Sequence, residues 1–216
     1  MTGLLITLEG IEGSGKTTQA SRLRDSLVEA GIPVCLTREP GGSPLAERVR
    51  DLILRGGEEP LAPGAELLLF LAARAQHVAR TIRPALGRGE VVVCDRFTDA
   101  TLAYQGGGRT IPEAFLTSLN EWATGGLKPA RTYLIDVPIE VGLARAKQRT
   151  GVPPDRIESE SRAFFEAVRA RYLEIARREP ERIVVLRGTS PEETLARQIE
   201  EDVHRILSGR TPNVQR

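Results

Sequence analysis

Gly10-Ile11-Glu12-Gly13-Ser14-Gly15-Lys16-Thr17 follows a short apolar run, residues 4–8, and opens a helical pattern over residues 16–30. The octet matches G-x-x-x-x-G-K-[ST], and a strand before with a helix after is the context in which that pattern holds phosphate. The glycines let the backbone curl so that successive N–H groups face an anion. The helix N-terminus adds positive potential at the same point. Lys16 would reach the β- and γ-phosphates of a nucleoside triphosphate, and Thr17 would ligate Mg²⁺. With Thr18, the residues Gly10, Ile11, Glu12, Gly13, Ser14, Gly15, Lys16 and Thr17 form the candidate triphosphate-binding set.

Outward from this loop, short apolar runs alternate with longer helical patterns. Strands are expected at 4–8, 32–36, 91–94, 132–135 and 183–186. Helices are expected at 16–30, 43–54, 64–86 with a bend before Pro84, 112–123, 138–149 and 159–178. A last helix should begin at Ser190-Pro191-Glu192-Glu193, with Ser190 as its cap. Strands alternating with helices predict an α/β fold, a five-stranded parallel sheet with helices on both faces. No repeat or linker divides the chain. One domain is expected over residues 1–208, with a frayed polar tail at 209–216.

The chain has 216 residues, 40% of them hydrophobic, which suits one domain with a full core. Its formal net charge of +1 gives no global field toward nucleic acid or an anionic membrane. Only Lys16, Lys128 and Lys147 are lysines, so 27 of the 30 basic residues are arginine, the side chain suited to bidentate phosphate recognition. Cys35 and Cys94 fall in strand-like runs and read as strand residues rather than a disulfide pair. The opening residues lack a signal-peptide pattern, and no apolar run approaches the ~20 residues of a membrane span. A cytoplasmic location is expected.

The triphosphate loop leaves the reaction open. No Asn-Lys-x-Asp guanine signature occurs, which disfavours a GTPase, and a single small domain disfavours a motor. A phosphotransferase with a small acceptor remains, among them kinases of adenylate, guanylate, cytidylate or a metabolite. A nucleotide-binding protein without catalysis is the rival from another class. Further strings narrow the acceptor: Thr37-Arg38-Glu39-Pro40-Gly41-Gly42, Phe70-Leu71-Ala72-Ala73-Arg74-Ala75-Gln76, Asp95-Arg96-Phe97, Tyr104-Gln105-Gly106-Gly107-Gly108-Arg109 and Asp155-Arg156-Ile157-Glu158. Arg38, Asp95 and Arg96 fall at strand ends, where open parallel sheets bind ligands. Phe70 and Arg74 are one helical turn apart, a spacing that suits a planar base. Gln105 offers a donor and an acceptor to a pyrimidine edge.

In this order, these strings together with the phosphate loop resemble bacterial thymidylate kinase from Leu5 to about Leu207. The resemblance implies a nucleoside monophosphate kinase fold and transfer of the γ-phosphate of ATP to dTMP, with Mg²⁺. It implies a homodimer, with no nucleic-acid partner. Phe70 would stack on thymine, Arg74 and Gln105 would read its edge, and Arg38 and Arg96 would hold the dTMP phosphate. Tyr104 would lie by the sugar with Thr101 near it, and Glu12 would contact the sugar or a metal-bound water. Asp95 would order Mg²⁺ through water, and Glu158 is a further metal candidate. A cis Glu39–Pro40 bond is implied, and Gly188 and Thr189 would hold the adenine. Phe97 replaces the tyrosine or histidine common in the family and lacks its polar tip. Some relatives carry a catalytic arginine in the phosphate loop and others in a lid. This loop has Glu12 and Ser14 and no arginine, so the cation is expected from a lid at about 149–156. Arg149 is the first choice, with Arg145 and Arg156 in reserve, the latter also a partner for adenine or Glu158.

Overall fold

A computed structural model describes residues 3–55, 59–148 and 155–209. Five strands, β1 (Leu4–Glu9), β2 (Val34–Arg38), β3 (Val91–Asp95), β4 (Arg131–Asp136) and β5 (Ile183–Arg187), form one sheet in the order β2-β3-β1-β4-β5. Every pairing is parallel, as the strand–helix alternation predicts. Residues alternate across β1. Ile6 and Leu8 join Leu23 and Leu27 of α1 (Lys16–Glu29) and Leu195, Ile199 and Val203 of α9 (Glu192–Leu207) in one cluster. Leu5 faces the opposite layer with Val92, Cys94, Val78 and Ile82. A sheet apolar on both faces is the signature of parallel strands under two helical layers.

Parallel strands put all their carboxyl ends on one edge, so Glu9, Arg38, Asp95 and Asp136 are neighbours there. The loop after β1 packs closely against α7 (Ile139–Lys147). Gly13 has φ +68°, and a Cβ there would lie 2.0 Å from the carbonyl oxygen of Gly142. Both freedoms of glycine, positive φ and no side chain, are used at this contact.

Several elements differ from the sequence expectation. β2 begins two residues later than expected and carries Thr37 and Arg38 within the sheet. The expected long helix is α3 (Pro63–His77), a π-helical segment Val78–Ile82 and α4 (Arg83–Gly87), so the change of geometry comes before Pro84 as expected. Residues after β3 are helical: α5 (Thr98–Thr101) continues as a π-helical segment Leu102–Gly108. Three successive glycines are a composition typical of turns, yet Gly106–Gly108 lie in this helical segment and serve close packing. Cβ atoms at Gly107 and Gly108 would meet the Ala167 carbonyl oxygen at 2.8 Å and the Phe164 ring at 2.2 Å, both on α8 (Arg162–Arg178). α9 has Pro191 at its cap position and no side-chain cap bond, so Ser190 does not cap it. The remaining helices are α2 (Pro44–Arg55) and α6 (Glu113–Thr124). Cys35 and Cys94 are free cysteines in β2 and β3. No helix among the described residues is long and apolar enough to cross a membrane. Arg149, residues 150–154 of the expected lid and the tail from 210 lie outside the described residues.

Candidate active site

The carboxyl edge of the sheet opens into one cleft of about 600 Å³. Its lining includes the loop from Glu12 to Thr18, Arg38, Phe70, Arg74, Asp95, Arg96, Thr101, Tyr104, Gln105 and Glu158. Residues separated by as many as 183 positions in sequence, from Glu12 to Leu195, thus face one space.

The floor of the cleft is the phosphate loop. Gly15 stands at the α1 cap position with φ 99°, no side chain caps the helix, and its first turn has no acidic residue. The first-turn N–H groups and the positive helix end therefore face the cleft uncompensated by side chains. Lys16 is buried and folds back over the loop, donating to Ile11 O at 2.8 Å and Ser14 Oγ at 3.3 Å. Burial, helped by the positive Arg96, pushes its ammonium pKa down to about 8. A bound polyanion would reverse that shift. Thr17 Oγ1 donates to Asp95 Oδ2 at 2.5 Å. A hydroxyl and a carboxylate are hard oxygen donors, and Mg²⁺ typically takes one or two protein oxygens and fills its shell with phosphates and water. Among the described residues no cluster of three or more His, Cys, Asp or Glu would cage a metal unaided. The donor set therefore fits Mg²⁺ that arrives with a nucleotide. Glu158 lines the same cleft, and its Oε2 accepts the backbone N–H of Asp155.

Three arginines flank one side. Arg96 has φ 73°, left-handed for a residue with a side chain, and it turns back over the loop. It donates to Gly10 O at 3.0 Å and Glu12 Oε1 at 2.7 Å. Tyr104 Oη donates to Glu12 as well, at 2.8 Å. Arg38 pairs with Glu47 at 2.9 Å and is half exposed. Arg50 on α2, absent from the sequence reading, lines the same cleft and donates to Pro40 O. Burial, then the neighbouring Arg38, lower its pKa. Cations gathered this closely repel one another unless an anion joins them.

Phe70 and Arg74 of α3 line the same cleft. Phe70 is half buried on α3, and Arg74, one turn on, is 2% exposed. Arg74 Nε donates to Glu39 at 2.7 Å, Nη1 to Thr101 Oγ1 at 2.6 Å and Asn120 Oδ1 at 2.5 Å, and Nη2 to Phe97 O at 2.9 Å. Guanidinium has five N–H groups, so among the described residues one is left without an acceptor. Burial pushes the Glu39 carboxyl up, but Arg74 and His77 outweigh it and hold it below the usual carboxylate range. The Glu39–Pro40 bond is cis, as expected. Phe97 is fully buried, with the Arg74 guanidinium 5.5 Å from its ring centroid. Its ring belongs to the apolar layer of Leu5, Val92 and Cys94.

The thymidylate kinase family model matches residues 8–199. The chain belongs to the thymidylate kinase family. It is 54% identical over 200 residues to a thymidylate kinase of Pseudomonas putida strain GB-1, covering 93% of this chain and 94% of that one. It is 52% identical over 207 residues to one of Ectopseudomonas mendocina, covering 96% of both. The solved thymidylate kinase of Ehrlichia chaffeensis superposes with a TM-score of 0.74 at 34% identity, over 96% of this chain and 99% of that one.

Within this thymidylate kinase fold, the two reserve arginines on the lid side are both held by protein groups. Arg156 reaches α2 and α3 rather than Glu158. It donates to Ile53 O at 3.0 Å and pairs with Glu66 at 2.6 Å. Arg145 donates to Gly188 O at 3.0 Å, on the cleft rim. Arg50, Asn120 and Glu66 were not singled out in the sequence, nor was Glu39 as a partner of Arg74. A buried glutamate or asparagine carries no local pattern, and the contacts of these four residues span 10 to 90 residues.

Beneath Arg96, Glu9 is fully buried. Its Oε1 accepts Phe97 N–H at 2.7 Å and its Oε2 accepts Tyr172 O–H at 2.7 Å. Burial, then repulsion from Asp99, push its pKa up to about 7. The fold thus prefers the neutral acid. That contribution is complete below the unfolded value near 4.5 and is lost as pH rises through about 7. A shift of this size corresponds to roughly 3 kcal/mol. Glu9→Gln mimics the neutral acid, so its stability relative to the wild type should rise steadily from pH 5 to pH 8 in urea titrations. A constant difference across that range would contradict the account.

Proposed function

We propose that the chain transfers the γ-phosphate of ATP to dTMP, giving dTDP and ADP. The observation that carries this reading is Arg74. Four protein acceptors fix it, one N–H remains, and Phe70 and Gln105 line the same cleft as the phosphate loop. On this reading Phe70 stacks on thymine, the last Arg74 N–H meets the O4 carbonyl, and Gln105 meets N3–H. Arg38, Arg50 and Arg96 grip the acceptor phosphate by charge-assisted bonds. Tyr104 borders the sugar, with Thr101 beside it, and Glu12 contacts the sugar or a metal-bound water. Gly10 to Thr18 hold the ATP phosphates.

The acceptor is a phosphate oxygen, ionised near pH 7, so the reaction needs no general base. It needs repulsion between two polyanions to be offset and water to be excluded. Lys16 and Arg96 serve the first need from fixed positions. Arg149, from the lid, completes the charge in the transition state, and closure of the lid serves the second need. Thr17, Asp95 through a water, and Glu158 would hold Mg²⁺, which when bound supplies further neutralisation between the phosphates. Arg149→Ala tests the lid role: kcat should fall by about 10² or more with the dTMP dissociation constant little changed. A wild-type rate would remove Arg149 from the mechanism.

We also propose a homodimer through the face made by α2, α3 and α6. These helices pack side by side, and Leu45 and Leu52, Leu68, and Phe115 and Trp122 stand exposed on them. Trp122, 81% exposed, is an improbable side chain to leave in water. Sedimentation equilibrium should give twice the chain mass at micromolar concentration, and a monomer there would overturn the proposal.

A further inference from the structure

Glu66 is a carboxylate buried where the base-facing residues meet. It lies on α3 one turn before Phe70 and two before Arg74, so the three share a helix face. It is 1% exposed. Its Oε1 accepts Gln105 Nε2 at 3.0 Å and Arg109 Nε at 3.2 Å, and its Oε2 accepts Arg109 Nη2 at 3.0 Å and Arg156 Nη2 at 2.6 Å. Burial pushes the carboxyl up, but bonds from Arg109, Gln105 and Arg156 outweigh it and hold it below its usual range. An ionised carboxylate only accepts hydrogen bonds. The group that Gln105 turns toward it is therefore the amide –NH₂. The amide oxygen is directed the other way, and it has no hydrogen-bond partner among the described residues. Gln105 itself lines the cleft.

We propose that Glu66 sets base selectivity by locking the Gln105 amide so that its oxygen, and not its nitrogen, meets the base. This rests on the reading of Arg74 and Gln105 as the base-facing pair. A 2,4-diketo pyrimidine presents an N3–H donor beside an O4 acceptor. The Gln105 oxygen accepts the first and the last Arg74 N–H donates to the second. A 4-amino pyrimidine reverses both groups: N3 becomes an acceptor and the 4-substituent a donor. Both contacts then fail together. An amide free to turn over would pair with either kind of N3, since its two ends are nearly the same size. A partner that only accepts removes that freedom. Glu66 touches no substrate in this scheme, so it is a positioning residue.

The test compares kcat/KM for dTMP and dCMP, with ATP as donor. Wild-type turnover of dTMP is measured first, because its absence would defeat the base reading itself, whatever Glu66 does. Given that turnover, Glu66→Gln introduces a group that can donate to the Gln105 oxygen and let the amide turn. The dTMP-to-dCMP ratio should then fall by about tenfold or more, with kcat on dTMP within a few-fold of wild type. Arg109→Gln is the control. It removes a neighbouring ion pair and leaves Glu66 bonded to Gln105, so it should lower stability and keep the ratio. An unchanged ratio in folded Glu66→Gln, or an equal fall in Arg109→Gln, overturns the proposal. Should Glu66→Gln not fold, the dTMP-bound wild type decides by NMR. One Gln105 Nε2 proton, assigned by its loss in Gln105→Met, should resonate downfield and exchange slowly. Two Nε2 protons at ordinary glutamine shifts, both exchanging rapidly with water, would overturn the proposal as surely.

Discussion

Lys16→Met is expected to lower kcat for dTMP phosphorylation by about 10³-fold or more while leaving the protein folded. Removing one preorganised donor from a charge-developing site costs about 10²–10³ in rate, and here a full positive charge leaves as well. The lysine is buried beside the phosphate loop, where charge is poorly screened. Its pKa near 8 reflects that desolvation first, with Arg96 second. Among the described residues its ammonium bonds to Ile11 O and Ser14 Oγ alone, neither of which needs a cation. Stability should therefore change little, and thermal unfolding can be read alongside the kinetics. A folded Lys16→Met enzyme with a rate within tenfold of wild type would contradict the assigned role.

Arg74→Met should have the largest effect on stability, about 3–5 kcal/mol, the usual consequence of removing one partner from a buried ion pair. The pair with Glu39 is 3% and 4% exposed at its two side chains. The substitution also strands the acceptors on Asn120, Thr101 and Phe97. For a chain of this length the melting temperature should drop by about 10 °C or more. The pH dependence carries a sign. Without Arg74 the Glu39 carboxyl keeps His77 as its one side-chain partner among the described residues, its pKa rises, and the stability deficit should shrink as pH falls toward 5. Adding Glu39→Gln to Arg74→Met should recover part of the loss. A deficit that is the same at pH 5 and pH 8, with no recovery in the double variant, would show that the pair is not the source.

The phosphate loop, the parallel sheet and the strand-end residues Arg38, Asp95 and Arg96 were all legible in the sequence, because each follows from local chemistry. Glycine spacing, apolar runs and a helix start are written within ten residues. The segment after β3 was not legible. Gly106, Gly107 and Gly108 carry the composition of a turn, and only the approach of Phe164 and Ala167 on α8 reveals that they clear space between helices. The Ser190 cap failed for a related reason: the local pattern fits a cap, yet Pro191 takes the position. Around the cleft, Phe70, Arg74 and Gln105 came from a resemblance and meet in one space, but what holds them did not. Glu39 reaches Arg74 across 35 residues, Asn120 across 46, and Arg156 reaches Glu66 across 90. Pairings at that range have no periodicity for a sequence to display.

The central claim is that this cleft joins a triphosphate donor to a thymine-bearing monophosphate. The most direct measurement is ADP release, coupled to a spectrophotometric readout, with MgATP and each of dTMP, dUMP, dCMP, AMP and GMP. The account predicts dTMP as the preferred acceptor, dUMP slower by the loss of one methyl contact, and the other three at least about 10²-fold lower in kcat/KM. Turnover of AMP or GMP equal to that of dTMP, or MgATP binding with transfer to none of the five, would contradict it.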